Sequence, residues 1–287
     1  MKPYAEVGKD AIQVKGWWQA HKWLILRRLS QVGVLGLFLL GPLAGIWLIK
    51  GNLSSSMTLD TVPMTEPILM LQMLAAGFIP AGLALTGLAL VLLFYLLVGG
   101  RAYCSWVCPL NPVTDAAHWL RQRLGLRGGL RLSRQLRYWL LATVALLSLI
   151  TGSLAYESIN PVSLTHRGII FGIGSAWLVL LGIFLFDLLI ARQGWCGHLC
   201  PMGALYGLLG EGSLLRVRAD NRAACDDCMD CFAVCPEPQV IKPALKGAGQ
   251  GLGPVIMAGH CTNCGRCIDV CGKSVFHFGS RLNNRSE

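Results

Sequence analysis

Charged residues are scarce in this chain of 287 residues. Asp, Glu, Lys and Arg make up 14% of it and hydrophobic residues 54%, whereas a soluble globular chain carries about 25% charged residues. A membrane protein is therefore the leading class. The formal net charge of +10 does not indicate nucleic acid, because the basic residues lie beside apolar segments and not in a soluble stripe with interleaved aromatic residues.

Two further absences argue against other classes of protein. The pattern CxxCH never occurs, which argues against a c-type haem. No cleavable signal peptide is evident, because the first residues are polar and the first apolar run is long enough to span a membrane. The twelve cysteines do not indicate a small secreted disulfide scaffold, because such scaffolds are shorter and less apolar than this chain.

Four apolar stretches are long enough to cross the hydrocarbon core of a bilayer, which takes about 20 residues. The second stretch is too long for one span, so we expect its helix near 77–98, with Pro80 in the first turn and 67–76 at the outer interface. Buried core helices of a soluble protein are the alternative. The four stretches are 29–49, part of 67–100, 138–156 and 168–186.

The distribution of Lys and Arg predicts the orientation of these spans. Both basic segments are expected on the cytoplasmic side, which places both termini inside and the protein in the cell inner membrane as a multi-pass protein. Residues 16–28, with three tryptophans, are expected to form an interfacial helix. The basic residues are Lys2, Lys9, Lys15, Lys22, Arg27 and Arg28 before the first span, and Arg101, Arg121, Arg123, Arg127, Arg131, Arg134 and Arg137 between spans two and three.

An aromatic-CxxxCP motif occurs twice, as YCSWVCP at 103–109 and as WCGHLCP at 195–201. Each copy follows a pair of predicted spans. The repeated motif therefore predicts that the membrane part is a duplicated two-helix unit, with the repeats related by an axis along the membrane normal.

The chain becomes polar from about residue 211 and contains two dense cysteine runs, which indicates a separate soluble domain. Close CxxCxxC spacing lets three thiolates surround an iron–sulfur cube, and in two-cluster ferredoxins the fourth cysteine of each run ligates the other cluster. Carried onto this sequence, that pattern assigns one [4Fe–4S] cluster to Cys225, Cys228, Cys231 and Cys271, and a second to Cys261, Cys264, Cys267 and Cys235.

Zinc and disulfides are the alternatives for these runs. Zinc ribbons use two paired CxxC units separated by a longer gap, and a cytoplasmic location keeps thiols reduced. Gly272 stands where a proline usually follows the fourth cysteine, and its flexibility is expected to loosen one site or shift its potential without removing a ligand. Short strands are expected near 255–257 and 275–278.

The CxxxCP cysteines leave several interpretations open. If they converge, they hold an additional iron or iron–sulfur centre or cycle between dithiol and disulfide, and the alternative is that they are structural. His198 is a candidate ligand or a solvated interfacial residue. Asp187 is a candidate proton relay for a quinol, or an interfacial residue beside Arg192. The four cysteines are Cys104, Cys108, Cys196 and Cys200.

These observations predict a mainly α protein with a four-helix transmembrane bundle and a C-terminal, bacterial-type, two-cluster ferredoxin-like α+β domain. Its expected parts are a cytoplasmic interfacial segment at 1–28, a membrane domain at 29–210 and the ferredoxin-like domain at 211–287.

The chain resembles the NapH family, membrane-bound ferredoxin-type subunits of periplasmic nitrate reductase systems. The resemblance covers nearly the whole length, and its segments are KGWW, HKWLILRRL, GNLSSS, DTVP, YCSWVCPLNPVTD, INPVSL, GWCGHLCP, GALYG and CMDCFAVCPEP. It implies an electron-transfer subunit of a quinol dehydrogenase and not a stand-alone enzyme. Its implied partners are membrane quinol, a periplasmic iron–sulfur protein and a membrane-tethered multihaem cytochrome, and a soluble cytoplasmic ferredoxin is a further candidate.

Two other functions compete with this interpretation. Polyferredoxin-type accessory proteins that reduce copper or service metal centres also join membrane helices, CxxxCP motifs and tandem clusters. They commonly add soluble domains, which we do not expect after Glu287. A redox sensor is the third hypothesis, but no output domain is recognisable.

Overall fold

The computed structural model describes residues 6–126, 128–130, 132–172 and 174–282 and is mainly helical. In chain order the helices are α1 (Lys9–Lys15), α2 (Trp17–Ala44), α3 (Pro67–Ala75), α4 (Gly82–Val98), α5 (Ala102–Trp106), α6 (Leu110–Arg123), α7 (Leu136–Thr151), α8 (Pro161–Phe171), α9 (Gly174–Leu185), α10 (Pro201–Glu211), α11 (Asp230–Val234), α12 (Ile241–Lys246) and α13 (Arg266–Val270). The strands are β1 (Ile49–Gly51), β2 (Ser55–Thr58), β3 (Val62–Thr65), β4 (Leu215–Arg218) and β5 (His277–Ser280). Two π-helical turns cover Phe186–Ile190 and Trp195–Leu199.

The described residues divide into two compact units, each built from separate segments of the chain. The first unit comprises Met1–Leu29, Tyr95–Trp106 and Tyr206–Glu287, and the second comprises Ser30–Phe94 and Val107–Leu205. The N-terminal residues and a short central segment therefore belong to the same unit as the cysteine-rich C-terminal residues, a grouping that the sequence did not indicate.

The first unit contains a two-stranded antiparallel sheet of β4 and β5, with Val217 opposite Phe278. Its buried apolar core includes Val217, Ile256 and Phe276. The second predicted strand lies two residues later than expected, at β5. The segment predicted as a strand at 255–257 forms one isolated antiparallel bridge, between Val255 and Arg218 on the other edge of β4. It is too short for a strand, since its ladder consists of the Ala219 N–H donating to the Pro254 carbonyl at 2.8 Å and the Ile256 N–H donating to the Val217 carbonyl at 3.0 Å.

The N-terminal segment is held on the cysteine-rich part of the first unit. The backbone N–H of Gly8 donates to the Asp230 carboxylate at 3.0 Å. The Asp269 carboxylate accepts from the backbone N–H groups of Trp23 and Leu24 at 3.1 and 2.9 Å. The predicted interfacial helix at 16–28 is thus the beginning of α2, and it has a packing role in addition to any role as an anchor.

One described helix, α2, is long and apolar enough to cross a membrane, and three shorter apolar helices cover Gly82–Val98, Leu136–Thr151 and Ala176–Ile190. The prediction of one continuous fourth span at 168–186 is wrong. Helix α8 ends at Phe171, because Gly172 adopts a left-handed conformation with φ +67°. A new helix, α9, then begins at Gly174.

The second unit contains a three-stranded antiparallel sheet, β1-β2-β3, that the sequence did not predict. Leu59 and Asp60, both with positive φ, form the turn between β2 and β3. Helix α3 follows where an interfacial segment was expected, and Pro67 lies in its first turn. The position predicted for Pro80 is also wrong, because α4 begins two residues after it, at Gly82.

Candidate iron–sulfur centres

Cavity one lies in the first unit and is lined by four of the eight C-terminal cysteines. It encloses about 370 Å³ of space free of protein atoms, part of it open to solvent. Three of its cysteines come from the first run and one from the second, in the combination that two-cluster ferredoxins use. The four are Cys225, Cys228, Cys231 and Cys271.

Cavity two has the complementary set and encloses about 350 Å³. Three of its cysteines come from the second run and one from the first, so each run contributes to both cavities. The four are Cys235, Cys261, Cys264 and Cys267. This exchange ties the two runs together across the domain.

The two CxxCxxC loops share a backbone conformation. In each loop the residues on either side of the second cysteine have positive φ, a conformation that is rare outside glycine. These left-handed residues turn the chain sharply between the cysteines. They are Asp227 and Met229 in the first loop, with φ of 59° and 63°, and Asn263 and Gly265 in the second, with φ of 47° and 72°.

The third cysteine of each loop lies at the start of a short helix and enters the apolar core. Cys231 lies in α11 and Cys267 in α13, and both pack in the cluster that contains Val217, Ile256 and Phe276. The two cavities therefore share one core, and the fold of the domain and the placement of the thiols depend on each other.

Burial raises the pKa of six of the eight thiols. The pKa of Cys231 rises to about 12, first because it is desolvated and next because the Cys228 thiol is close. Burial likewise raises the pKa of Cys261 to about 11. Thiols in this environment hold their protons at neutral pH unless a metal centre supplies positive charge, since a coordinating thiol is deprotonated outright.

The arrangement fits a polynuclear cluster better than a single ion. Among the described residues no group of three or more His, Cys, Asp or Glu side chains is close enough to hold one metal ion. Zinc ribbons pair two CxxC units separated by a longer gap, whereas each cavity takes three cysteines from one CxxCxxC loop and its fourth from the other run. A [4Fe–4S] cluster takes four cysteine thiolates, which each cavity supplies.

A buried ion pair closes one side of cavity two. The Arg101 guanidinium contacts the Glu237 carboxylate at 2.8 Å, and both side chains are 2% exposed. Arg101 also donates to the backbone carbonyl of His260 at 3.1 Å. Glu237 lines the cavity directly. The sequence does not indicate this pair, since the two residues are 136 positions apart and no local pattern connects them.

The first CxxxCP motif begins on the loop of cavity two. The Ser105 hydroxyl donates to the backbone carbonyl of Thr262 at 2.7 Å, and the Trp106 indole donates to that of Asn263 at 3.0 Å. Thr262 itself lines the cavity. The segment that carries Cys104 is therefore part of the wall around the second run of cysteines.

The four CxxxCP cysteines fall into different units. Cys104 belongs to the first unit, and Cys108, Cys196 and Cys200 belong to the second. Cys108 is buried and the other three are half-buried. The Cys196 thiol lies 3.8 Å from the Thr114 hydroxyl, as a weak hydrogen-bond donor.

Asp187 is fully buried and contacts the second CxxxCP motif. Its carboxylate accepts a hydrogen bond from the backbone N–H of Trp195 at 2.9 Å. The Arg121 guanidinium donates to the backbone carbonyl of Leu188 at 2.6 Å and so holds the same π-helical turn. His198 is half-buried in the second π-helical turn, between the cysteines of that motif.

Gly272, which replaces the usual proline, lies against helix α1. A Cβ atom at this position would lie 3.3 Å from the backbone of Asp10. The small residue thus permits α1 to approach, while Cys271 still lines cavity one.

Comparison with known protein families gives three matches. A family described as a 4Fe-4S binding domain matches residues 80–127 and again residues 173–219. A family described as a 4Fe-4S dicluster domain matches residues 216–272. The doubled match confirms the predicted internal repeat, and the third covers both C-terminal cysteine runs. The expected iron–sulfur clusters are thereby confirmed.

Similar proteins are found along nearly the whole chain. The ferredoxin-type protein NapH of Escherichia coli is 50% identical over 96% of both chains. The methylamine utilization ferredoxin-type protein MauN of Methylorubrum extorquens is 52% identical over 95% of this chain and 94% of its own. NapH of Haemophilus influenzae is 48% identical over 98% of this chain and 97% of its own. No solved structure matches.

Proposed function

Because the chain belongs to the family of ferredoxin-type proteins that includes NapH and MauN, we propose that it oxidises membrane quinol and passes the electrons towards periplasmic nitrate reduction. The observation that carries this proposal is the pair of four-cysteine cavities in a single domain. A bound [4Fe–4S] cluster supplies one-electron transfer at a potential set by its surroundings. The chain is then an electron-transfer subunit of a quinol dehydrogenase.

The proposed ligands follow the lining of the cavities. Cys225, Cys228, Cys231 and Cys271 hold the cluster of cavity one. Cys235, Cys261, Cys264 and Cys267 hold the cluster of cavity two.

We place the chain in the inner membrane with four transmembrane segments within residues 29–210, the ferredoxin-like domain at 211–287 and both termini in the cytoplasm. Helix α2 is long enough for one span, and the three shorter apolar helices form the others. Exposed apolar side chains on them support contact with lipid. For example, Leu149 and Ile150 on α7 are 64% and 71% exposed.

The charge asymmetry supports the same orientation. The N-terminal segment and the loop after α6 are rich in Lys and Arg, which favours the cytoplasmic side. The proposed partners are then a soluble ferredoxin on that side, and a periplasmic iron–sulfur protein and a membrane-tethered multihaem cytochrome on the other.

The CxxxCP cysteines are proposed to form a further iron or redox centre. Two segments match the 4Fe-4S binding domain, 80–127 and 173–219. Their cysteines are Cys104, Cys108, Cys196 and Cys200. Iron and sulfide quantification on anaerobically purified protein tests this. More than about eight iron atoms in the parent and about eight in the variant lacking all four cysteines would support it. Equal iron content in both would rule it out.

Quinol-dependent nitrate reduction in membranes tests the main proposal. Variants Cys225→Ala and Cys261→Ala should abolish it if electrons pass through both clusters, while a Cys196→Ala variant shows whether the membrane motif is also required. Unchanged rates in membranes whose protein has lost its clusters would refute electron transfer through this domain.

A second candidate is an accessory role in another redox system. It is favoured by the 52% identity to MauN, a methylamine utilization protein. A copper-reduction assay on the purified protein, and complementation of strains that lack either relative, would separate the two functions.

A further inference from the structure

A group of buried polar residues lies in the second unit, where the segment from β1 to α3 meets the loop between α7 and α8. We call it the Glu66 group. It contains two carboxyl groups, a phenol, two hydroxyls and an amide. Its members are Ser54, Glu66, Tyr156, Glu157, Asn160 and Ser163, all of them buried except Glu157, which is half-buried.

Glu157 is surrounded by hydrogen-bond donors. The Ser54 and Ser163 hydroxyls donate to one of its carboxylate oxygens at 3.0 and 2.6 Å. The Asn160 amide donates to the other at 3.3 Å. Both of its oxygens therefore have donors, and partial exposure gives this carboxylate access to water.

Glu66 has the opposite environment. It is 4% exposed, and among the described residues neither of its carboxylate oxygens accepts a hydrogen bond of ordinary geometry. Burial raises its pKa well above the usual value, the nearby Glu157 charge raises it further, and the Ser54 hydroxyl lowers it in part. A buried carboxyl group whose hydrogen bonding is this incomplete costs folding free energy.

Tyr156 is the second buried side chain of the group whose hydrogen bonding is incomplete. It is 5% exposed, and within the described part of the chain its hydroxyl has no hydrogen-bond partner. The phenol lies within electrostatic range of both carboxyl groups and of the Cys108 and Cys200 thiols. Its backbone is fixed, because its N–H donates to the fully buried Gln72 side chain at 2.8 Å.

Buried polar groups in native proteins nearly always have partners, so Glu66 and Tyr156 together indicate a hydrogen-bonding ligand. We propose that the Glu66 group binds the hydroxyl end of a membrane quinol and accepts its protons. This inference rests on the proposed function and assigns quinol oxidation to named residues.

The chemistry of the group matches a quinol. A quinol hydroxyl donates to a carboxyl oxygen such as those of Glu66 and accepts from a phenol such as that of Tyr156. The ring is lipid-soluble, and the exposed apolar residues near the group give it a route from the bilayer. Ile159, in the same loop as Tyr156 and Glu157, is 68% exposed.

The step balances as follows. Quinol loses two electrons and two protons as both O–H bonds break and quinone forms. The electrons are taken up singly by two iron–sulfur centres of the proposed function. Each proton passes to Glu66, which gives its own proton to Glu157 and from there to water. The Ser54 hydroxyl connects the two, since it lies within hydrogen-bonding range of the Glu66 carboxyl group and bonds to Glu157 at 3.0 Å.

The test compares the full chain in proteoliposomes with the variants Glu66→Gln and Tyr156→Phe, both of which keep the side-chain volume. Asp60→Asn is the matched control, because Asp60 is an exposed carboxylate on the same three-stranded sheet, paired with Lys50. The first readout is the rate at which quinol reduces the clusters, followed by visible absorbance, with dithionite reduction as the measure of intact clusters. The second readout is the affinity for a redox-inert hydroxyquinoline N-oxide analogue of quinol.

Loss of the proton acceptor should slow quinol-dependent reduction by about a hundredfold in Glu66→Gln. Loss of one hydrogen bond should weaken analogue binding by about tenfold in Tyr156→Phe. Dithionite reduction should not change in either variant, Glu66→Asp should restore part of the rate, and Asp60→Asn should behave like the parent.

Two results distinguish this inference from the proposed function. Parent-like rates and binding in both variants would show that the group holds only water and would overturn the site, while quinol oxidation would stand. A parent that binds the analogue through Glu66 but is not reduced by quinol would support the site and refute quinol as the electron donor.

Discussion

Cavity one and cavity two have the same set of four thiols in different surroundings. Cavity one is lined by Asp226, Asp227 and Lys273. The Asp227 side chain is 63% exposed and Met229 is 48% exposed. Cavity two is lined by Glu237, which pairs with the buried Arg101. It is also lined by the loop whose backbone carbonyls accept hydrogen bonds from Ser105 and Trp106.

The difference indicates a division of roles between the two sites. Exposure, charge and hydrogen bonding tune the potential of an iron–sulfur cluster. An exposed, charged rim suits exchange with a soluble partner, whereas a buried wall suits transfer within the protein. We therefore expect cavity one to serve the soluble partner and cavity two to serve the rest of this chain.

The largest expected difference between the two cavities comes from removing one cysteine ligand from each of them in turn. Cys225→Ser and Cys261→Ser should each lose one cluster, which removes about four iron atoms from the parent content. Iron quantification and EPR of the reduced proteins measure the loss. The remaining EPR signals should differ between the variants, since different clusters survive. Loss of all iron from the Cys225 variant would show that cavity two cannot hold its cluster alone.

Breaking the ion pair at cavity two should destabilise the first unit. Arg101→Leu leaves the Glu237 carboxylate buried without its partner, at a cost of about 3–5 kcal/mol. The exposed Lys50–Asp60 pair is the control, and Lys50→Leu should cost about 0–1 kcal/mol. The free energy of unfolding of Arg101→Leu is measured by denaturant unfolding followed through cluster absorbance. Circular dichroism gives the free energy of unfolding of both variants, since Lys50 lies outside the unit that holds the cysteine cavities. The double variant Arg101→Leu, Glu237→Leu should recover most of the loss, and equal costs for Arg101→Leu and Lys50→Leu would contradict the proposed burial.

The equivalent loop residues Gly265 and Met229 give an intermediate effect. Both have left-handed backbones, but a Cβ atom at Gly265 would overlap the Trp23 side chain. Gly265→Ala should therefore destabilise the unit by about 1–3 kcal/mol, and Met229→Ala should cost less, since Met229 already has a Cβ atom in that conformation. Thermal unfolding of the two variants measures the difference. A larger loss for Met229→Ala would mean that the contact with Trp23 does not limit this position.

Neutralising one carboxylate at each cavity should give the smallest effect. Glu237→Gln removes a buried negative charge and should raise the potential of the cavity-two cluster by tens of millivolts, because charge interactions are weakly screened there. Asp227→Asn removes an exposed charge and should shift the cavity-one potential by less. Redox titration followed by EPR resolves the two clusters. Equal shifts would indicate that solvent reaches both cavities alike.

Local patterns in the sequence predict the chemistry of the domain well. The spacing of Cys225, Cys228 and Cys231 places three thiols around one loop, since few backbone conformations connect them. The sequence also suggested the exchange of the fourth cysteines, and the lining of both cavities agrees with that pairing.

Patterns of hydropathy predict the presence of helices better than they predict where the helices end. The apolar stretch at 168–186 contains no charged residue, yet Gly172 interrupts it. A run of apolar residues satisfies a hydropathy window whether or not one glycine adopts positive φ. The strands β1 to β3 were missed for a related reason, since each has only three or four residues.

The sequence by itself determined the type of metal centre, the internal repeat and the apolar character of the helices, because these depend on residues close together along the chain. The tertiary structure decided which distant residues surround each centre. Arg101 meets Glu237, Asp269 holds the start of α2, and Glu66 lies beside Glu157. Such contacts form only when segments more than 90 positions apart fold together, and no local spacing encodes them.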